Sequence, residues 1–209
     1  MPLQNRVMPW GEIVATPARG ALMGNRGILH DATGALGTAR WKHKVWIACR
    51  LDFHGRRREP MPPGRYTALF FLDEATALAA GHRPCGECRR ADLARYRAAL
   101  DDALDVDEPS PLALAAIDRR LHVERIDRAT RLARPHTVDI AALPDGAMIL
   151  TPDGPTRAAL VIGESLHPWT EAGYRTPLPR PTAGAVAVLT PPTSCRALAN
   201  GYRAAWLGN

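Results

Sequence analysis

The stretch Phe70–Arg90, FFLDEATALAAGHRPCGECRR, decides how the rest of the chain is read. Phe70, Phe71 and Leu72 end the run Tyr66–Leu72 (YTALFFL), whose Tyr, Thr and Phe favour a strand. Asp73 then stands where a helix N-cap belongs, ATALAA is helix-forming, and Gly81 supplies the stop. HRPCGECRR follows as a compact turn. Ala91–Ala103 is predicted as a helix with Leu93, Tyr96 and Leu100 on one face. Strand, short helix, cysteine turn and helix in succession point to an α+β fold.

Upstream, WKHKVWIACRLDFHGRRR places Val45, Ile47, Cys49, Leu51 and Phe53 at alternate positions, the period of a strand. Pro60, Pro62, Pro63 and Gly64 break the chain after it. The first forty residues are rich in glycine and turns, which suits short strands and loops. GNRG at Gly24–Gly27 reads as a tight turn beside Arg26. It lacks the G-K-[ST] ending of a phosphate-binding loop.

Downstream, the acidic DDALDVDEPSP reads as a linker or exposed loop. Leu112–Arg134 is predicted helical, with Leu112, Ala115, Leu121 and Ile126 as its apolar positions. After Pro135 the pattern changes to short apolar runs (VDIAAL, GAMIL, RAALVIG, GAVAVLT) separated by turn-forming PDG and TPDGP and a Pro-rich segment, the signature of a small antiparallel β unit. Thr193–Tyr202 suggests a closing helix. The expected organisation is a basic zinc-binding domain over residues 1–134 and a small β unit over residues 135–209.

Cys85 and Cys88 form a C-x-x-C pair. Such a turn supplies two zinc ligands with little strain, and in a cytosolic protein it is more often metal-binding or redox-active than a structural disulfide. A thioredoxin-like motif needs a strand feeding the pair, whereas here a helix precedes it. Cys49 is the other cysteine of the basic half. The candidates for a fourth ligand are His54, His82, His122 or water. The P-C-x-x-C half of zinc nucleobase deaminases is also present, but the chain's H-x-E, His122-Val-Glu124, lies downstream of it instead of upstream. Cys195 reads as a half-buried thiol of the closing helix. His43 lies in the basic strand, within reach of a phosphate. His136 and His167 stand beside prolines and read as loop residues. Trp41, Trp46 and Trp169 suit either core packing or stacking on bases.

Residues Trp46–Arg90 resemble the zinc-binding module of the Ada DNA alkylation-response proteins. The resemblance is specific from Phe70 to Arg90, where an aromatic strand, an Ala-rich helix and G-x-R-P-C-x-x-C recur, and loose in IACRLDFHGRRR. It implies a small unit of antiparallel strands with flanking helices at about residues 41–103. The Ada module holds zinc with four cysteines, and the first accepts a methyl group from a DNA phosphotriester; by residue match that position is Cys49. The second cysteine corresponds to Phe53, so the implied zinc site is Cys49, His54, Cys85 and Cys88, with His54 as the substitute. One thiolate fewer makes the remaining sulfurs less nucleophilic. The whole chain also resembles a bacterial protein family sharing GNRG, GRRR and GHRPC-x-x-CRR, from which no function follows.

Charge completes the expectation. Lys and Arg total 27 against 21 acids, net +6, and nearly all the cations are Arg, which grips phosphate bidentately. From Val138 onward acids and Arg balance, so the excess lies in the first two thirds and peaks between Arg40 and Arg65. At 46% hydrophobic residues the chain has the material for a core and is not wholly disordered. It has no leader-like apolar start and no spanning run, so a cytoplasmic protein that does not engage the membrane is expected. The expected partner is nucleic acid, DNA before RNA, with a role in DNA repair or modification. The expected phosphate-binding face comprises Arg50, Arg56, Arg57, Arg58, Arg83, Arg89 and Arg90. The alternatives are a zinc enzyme acting on nucleic acid or nucleotides and a structural zinc protein that serves an interaction.

Overall fold

The computed structural model describes residues 2–55, 60–101, 114–154 and 157–208. It is an α+β protein in which four helices and two sheets share one interior. The first sheet contains β1 (Gln4–Val7), β2 (Ile13–Ala15), β3 (Leu22–Asn25), β4 (Ile47–Arg50), β5 (Leu69–Phe71) and β6 (Arg83–Pro84), in the order β2-β1-β5-β3-β4-β6. The β1–β5 and β4–β6 pairs are parallel and the others antiparallel.

The second sheet contains β7 (His136–Asp139), β8 (Met148–Leu150), β9 (Ala158–Ile162), β10 (Ser165–Thr170), β11 (Gly173–Tyr174), β12 (Leu178–Pro179) and β13 (Ala185–Val188). Its order is β11-β10-β9-β8-β13-β7, with β12 also on β10, and all its pairings are antiparallel. The apolar runs after Pro135 thus form strands as expected. Among the strands that the pattern did not announce, the longest is β10, SLHPWT, which is half-buried throughout and pairs with β9 even at Pro168; the short β11 and β12 on it are likewise unannounced. His136 and His167, expected in loops, lie within β7 and β10.

The short helix α1 (Glu74–Ala79) joins the two sheets. Asp73 caps it by accepting a hydrogen bond from the Thr76 N–H, and Gly81 (φ +78) ends it, both as its sequence indicates. All six of its residues are buried, which explains the alanines that let both sheets approach it; its buried polar residues Glu74 and Thr76 are hydrogen-bonded. Ala77 and Ala80 pack with Leu69 and Phe71 of the first sheet, whereas Ala75 and Ala79 pack with Met148 and Leu160 of the second. Helix α2 (Arg90–Asp101) buries Leu93, Tyr96 and Leu100, the three positions its periodicity selects. Helix α3 (Leu114–Arg125) buries Ile117 and Leu121, and helix α4 (Pro192–Ala199) closes the layer. The DDALDVDEPSP segment lies almost wholly outside the described residues.

The boundary expected near residue 134 does not divide the core. The largest hydrophobic cluster joins Leu78, Tyr96, Leu100, Ile117 and Leu121 to Ile140, Ile149, Val161, Val188 and Leu198. The two halves therefore complete each other's interior.

Candidate metal centre

Three cysteines from separate places in the sequence meet at one point. Cys49 lies in β4, Cys85 directly follows β6, and Cys88 lies in the turn that opens α2. The parallel register Ile47↔Arg83 and Ala48↔Pro84 brings Cys85 alongside Cys49, and the Cys85 N–H donates to the Ala48 carbonyl at 3.0 Å. The C-x-x-C turn then folds Cys88 back over the pair. All three sulfurs lie within 4.8 Å of one another. A tetrahedral zinc with Zn–S near ~2.3 Å holds its sulfurs roughly 3.8 Å apart, so the cluster needs little movement to close on a metal.

The second contacts suit thiolates. The Arg50 N–H donates to the Cys88 sulfur and the Glu87 N–H to the Cys85 sulfur, both at 3.4 Å. Charge is shared unequally within the cluster. A hydrogen bond from Cys49, reinforced by the Glu87 and Cys88 N–H groups, brings the Cys85 thiol down to about 5 against its burial. The same bond to Cys85, together with burial, pushes Cys49 far up, and burial raises Cys88. The three hydrogen-bonded thiols therefore favour a single shared thiolate ahead of any second ionisation. A bound cation would favour the thiolate at the other two.

The thiols open onto a cleft of about 210 Å³ whose walls include Asn25, Arg50, Phe53, Tyr66 and Glu87. Its neighbour, about 390 Å³, shares Leu51 with it and carries Arg6, Arg19 and Phe70. The Arg6 guanidinium stacks over the Phe70 ring at 4.6 Å. Cations and aromatic faces thus run together from the sulfurs across the first sheet.

The sequence expectations for this site are met in part. Cys49, Cys85 and Cys88 converge as anticipated. His54 is not in the cluster: it sits exposed on a turn at φ 56, its ring against Phe53. His82 is committed elsewhere. It is fully buried between Trp46 and Phe71, and its Nε2 accepts from the Arg26 guanidinium at 3.4 Å. His122 packs edge-on against Trp41, and Glu124 caps α4 by accepting from the Thr193 N–H and hydroxyl, so His122-Val-Glu124 is not a deaminase motif here. His43 hydrogen-bonds Asn25 at 2.9 Å instead of facing solvent phosphate. Cys195 donates to the Thr190 carbonyl, and burial pushes its thiol up to about 12, which makes it a packing residue.

The expected arginine face is smaller than proposed from sequence. Arg83 is buried and bidentate to Asp118, both contacts at 2.8 Å. Arg89 is buried between Glu74 (2.7 Å) and Asp92 (2.8 Å). Neither can reach a phosphate, because their charges are spent on Asp118, Glu74 and Asp92, of which only Asp92 is a near neighbour in sequence. Arg50 and Arg90 are exposed as expected, and Arg56, Arg57 and Arg58 lie outside the described residues. GNRG also departs from an exposed turn. Gly24 and Asn25 belong to β3, and a Cβ on Gly24 would sit 2.5 Å from the Ile47 carbonyl. Arg26 is 1% exposed.

Burial of His82 has a measurable consequence. Desolvation first, then Arg26 and Arg125, hold its imidazole well below the ordinary 6.5. Below pH ~6.5 the unfolded chain takes up a proton that the folded protein refuses. The stabilisation is therefore complete above that pH and is lost as pH falls towards the lower folded value. The melting temperature is expected to fall between about pH 7 and pH 5, and less steeply in His82→Gln. Equal slopes in thermal melts of the two proteins would count against a neutral buried His82.

Compared with protein-family models, curated proteins and solved structures, the chain matches none. The Ada-like reading thus rests on the residues between Trp46 and Arg90. Among the described residues no helix is long and apolar enough to cross a membrane.

Proposed function

We propose that this chain is a zinc protein that binds nucleic acid, DNA before RNA, through the basic and aromatic clefts around Cys49, Cys85 and Cys88. The observation that carries the reading is the three-thiol cluster at the base of a cleft walled by Arg50, Phe53 and Tyr66. Softness of the donors selects zinc among the common cellular cations, since thiolates suit it and do not suit magnesium or calcium. Metal bound here would lock β4, β6 and the start of α2 together. The exposed cations Arg50, Arg19 and Arg90 would then be held for phosphate, with ring faces beside them for bases. Arg56, Arg57 and Arg58 continue the same stretch of sequence.

A zinc enzyme acting on nucleic acid or nucleotides is the second reading. It is favoured by the donor count: three thiols converge among the described residues, and the cleft leaves a fourth position open. Zinc with an open position supplies a Lewis acid or an activated water. The chain's part would be to seat the phosphate on Arg50 and to exclude water with Phe53 and Tyr66.

The test is a salt titration of DNA affinity. Wild-type protein is expected to bind with a linear fall of log K against log salt. Arg19→Ala with Arg50→Ala should shallow that slope by about one unit for each phosphate no longer neutralised, equally for different sequences. Absence of measurable affinity at low salt would remove the nucleic-acid reading and leave a structural zinc protein.

A further inference from the structure

A second pocket, sharing no lining residue with the cysteine cleft, lies where the segment before β4 meets the end of α3. Its volume is about 360 Å³, and its walls are Trp41, His122, Val123, Ile126, Asp127, Arg128 and Arg134. That volume falls in the range of pockets for small organic ligands, roughly 300–1,000 Å³. Trp41 offers a half-buried aromatic face, and Val123 is 63% exposed beside it.

The electrostatics of the pocket favour an anion. Arg128 and Arg134 are exposed at its wall. The Asp127 carboxylate is held ionised by the Thr130 N–H and hydroxyl and the Ala129 N–H, with Arg134 adding to the effect, so it offsets one of the two cations and leaves an excess of one positive charge at the wall. Burial, then Arg125, Lys44 and Arg128, lower His122 below its ordinary value and keep it neutral. Arg125 donates to its Nδ1 at 3.4 Å, so the ring's own proton sits on Nε2, where it can be donated.

Behind the pocket lies an unusual buried charge. The Trp46 ring carries the Arg26 guanidinium at 4.1 Å and the Arg125 guanidinium at 3.8 Å, and Trp41 lies 6.4 Å from Trp46. Arg26 and Arg125 are 1% and 2% exposed. Their hydrogen bonds go to the Gly11, Gly81 and Lys44 carbonyls and to His82 and His122, and no carboxylate pairs with either among the described residues. Arg26 Nη2 and Arg125 Nε have no partner there at all. The neighbouring Arg83–Asp118 pair is self-neutral. Desolvation by burial lowers the two unpaired guanidiniums to about 9 and about 8. Two unneutralised cations of this kind are costly, and they project positive potential towards an anion in the adjoining pocket.

We propose that this pocket binds a nucleoside phosphate unit, with the base stacked on Trp41 and the phosphate on Arg128 and Arg134. An aromatic face, a neutral N–H donor and two guanidiniums around one cavity match a planar heterocycle bearing an anion. The unit can be a free nucleotide or one residue of a single strand. Binding here does not depend on the cysteine site.

Binding of adenosine 5′-monophosphate, of inorganic phosphate, of adenosine and of a labelled twelve-residue oligo-dT is measured at low salt on the full chain. The mononucleotide is expected to bind more tightly than phosphate or adenosine alone. Trp41→Ala should weaken it about tenfold, Trp41→Phe should retain most of the affinity, and Arg128→Ala with Arg134→Ala should weaken it by at least as much. The two arginines are exposed, so that variant remains informative if Trp41→Ala folds poorly. An oligonucleotide affinity well above that of the mononucleotide, abolished in the same variants, assigns the unit to a strand; equal affinities assign it to a free nucleotide. The proposal is overturned if wild type binds neither nucleotide probe, if the variants bind as wild type does, or if phosphate alone binds as well as the mononucleotide. Salt-dependent DNA affinity unchanged in all these variants, together with mononucleotide binding unchanged in them, would overturn this pocket and leave the cysteine-cleft reading standing.

Discussion

Purified under reducing conditions, the protein is expected to carry about one zinc per chain, and Cys85→Ser or Cys88→Ser to lose it. Each substitution removes one of three converging sulfurs, and two thiols on an open cleft make a weak site. The loss should be visible as stability. A metal held at a thousand times its dissociation constant stabilises the folded state by ~4 kcal/mol. The variants should therefore melt lower than wild type and should resemble chelator-treated wild type. Cys49→Ser should behave alike, because β4 and β6 pair directly at that point. His54→Ala and Cys195→Ser should keep full occupancy, since neither side chain belongs to the cluster. Elemental analysis paired with thermal melts checks all five variants. A metal-free wild type that folds and melts normally would sink the metal centre, and loss of metal in His54→Ala would restore the four-ligand set.

Glu74→Ala should be the most damaging substitution outside the cysteines, at about 3–5 kcal/mol. Glu74 is 3% exposed, at the start of α1. One of its oxygens takes the Tyr202 hydroxyl and the Arg89 guanidinium, and the other accepts from the Ala205 N–H. Removing the carboxylate leaves Arg89 buried with Asp92 as its remaining acid. It also removes a tie on the C-terminal segment, which is otherwise held by the Glu74 and Ala75 N–H groups at the Ala205 carbonyl and by Asp73 at the Leu207 N–H. Arg89 follows Cys88 directly, and its N–H donates to the Cys85 carbonyl. The damage should therefore reach the metal centre and lower its affinity as well. Glu74→Gln keeps an acceptor of the same shape and should cost less. Urea unfolding of the three proteins measures the difference. A Glu74→Ala midpoint close to wild type would show that the C-terminal segment is not anchored through this carboxylate.

What was legible in the sequence was local. The N-cap at Asp73, the stop at Gly81, the face of Leu93, Tyr96 and Leu100 and the apolar strands after Pro135 are set by neighbours within a few positions, and the structure keeps each of them. Strand lengths were overread. Val45 and Leu51, alternating with Cys49, are 44% and 49% exposed, and the ladder of β4 covers only Ile47–Arg50. Strand β10 was missed because His167 and Pro168 interrupt its apolar signal, although its place on β9 tolerates both.

The sequence by itself determined that two cysteines share a turn, that a third stands on a strand upstream, and that positive charge is concentrated in the first two thirds of the chain. Tertiary structure decided which of those charges can meet a ligand. Arg83 finds Asp118 across 35 positions of chain, Arg89 at the foot of α2 finds Glu74 at the start of α1, and Arg26 and Arg125 close on Trp46. It also decided that His54 stands outside the cluster while His82 is sealed between two rings. The physical reason is the range of the forces that write each signal. Caps, turns and periodicity act through bonds between near neighbours and leave a pattern in the residue order. The partner of a buried charge is set by which elements pack together, and desolvation makes that partner decisive only after the core has closed.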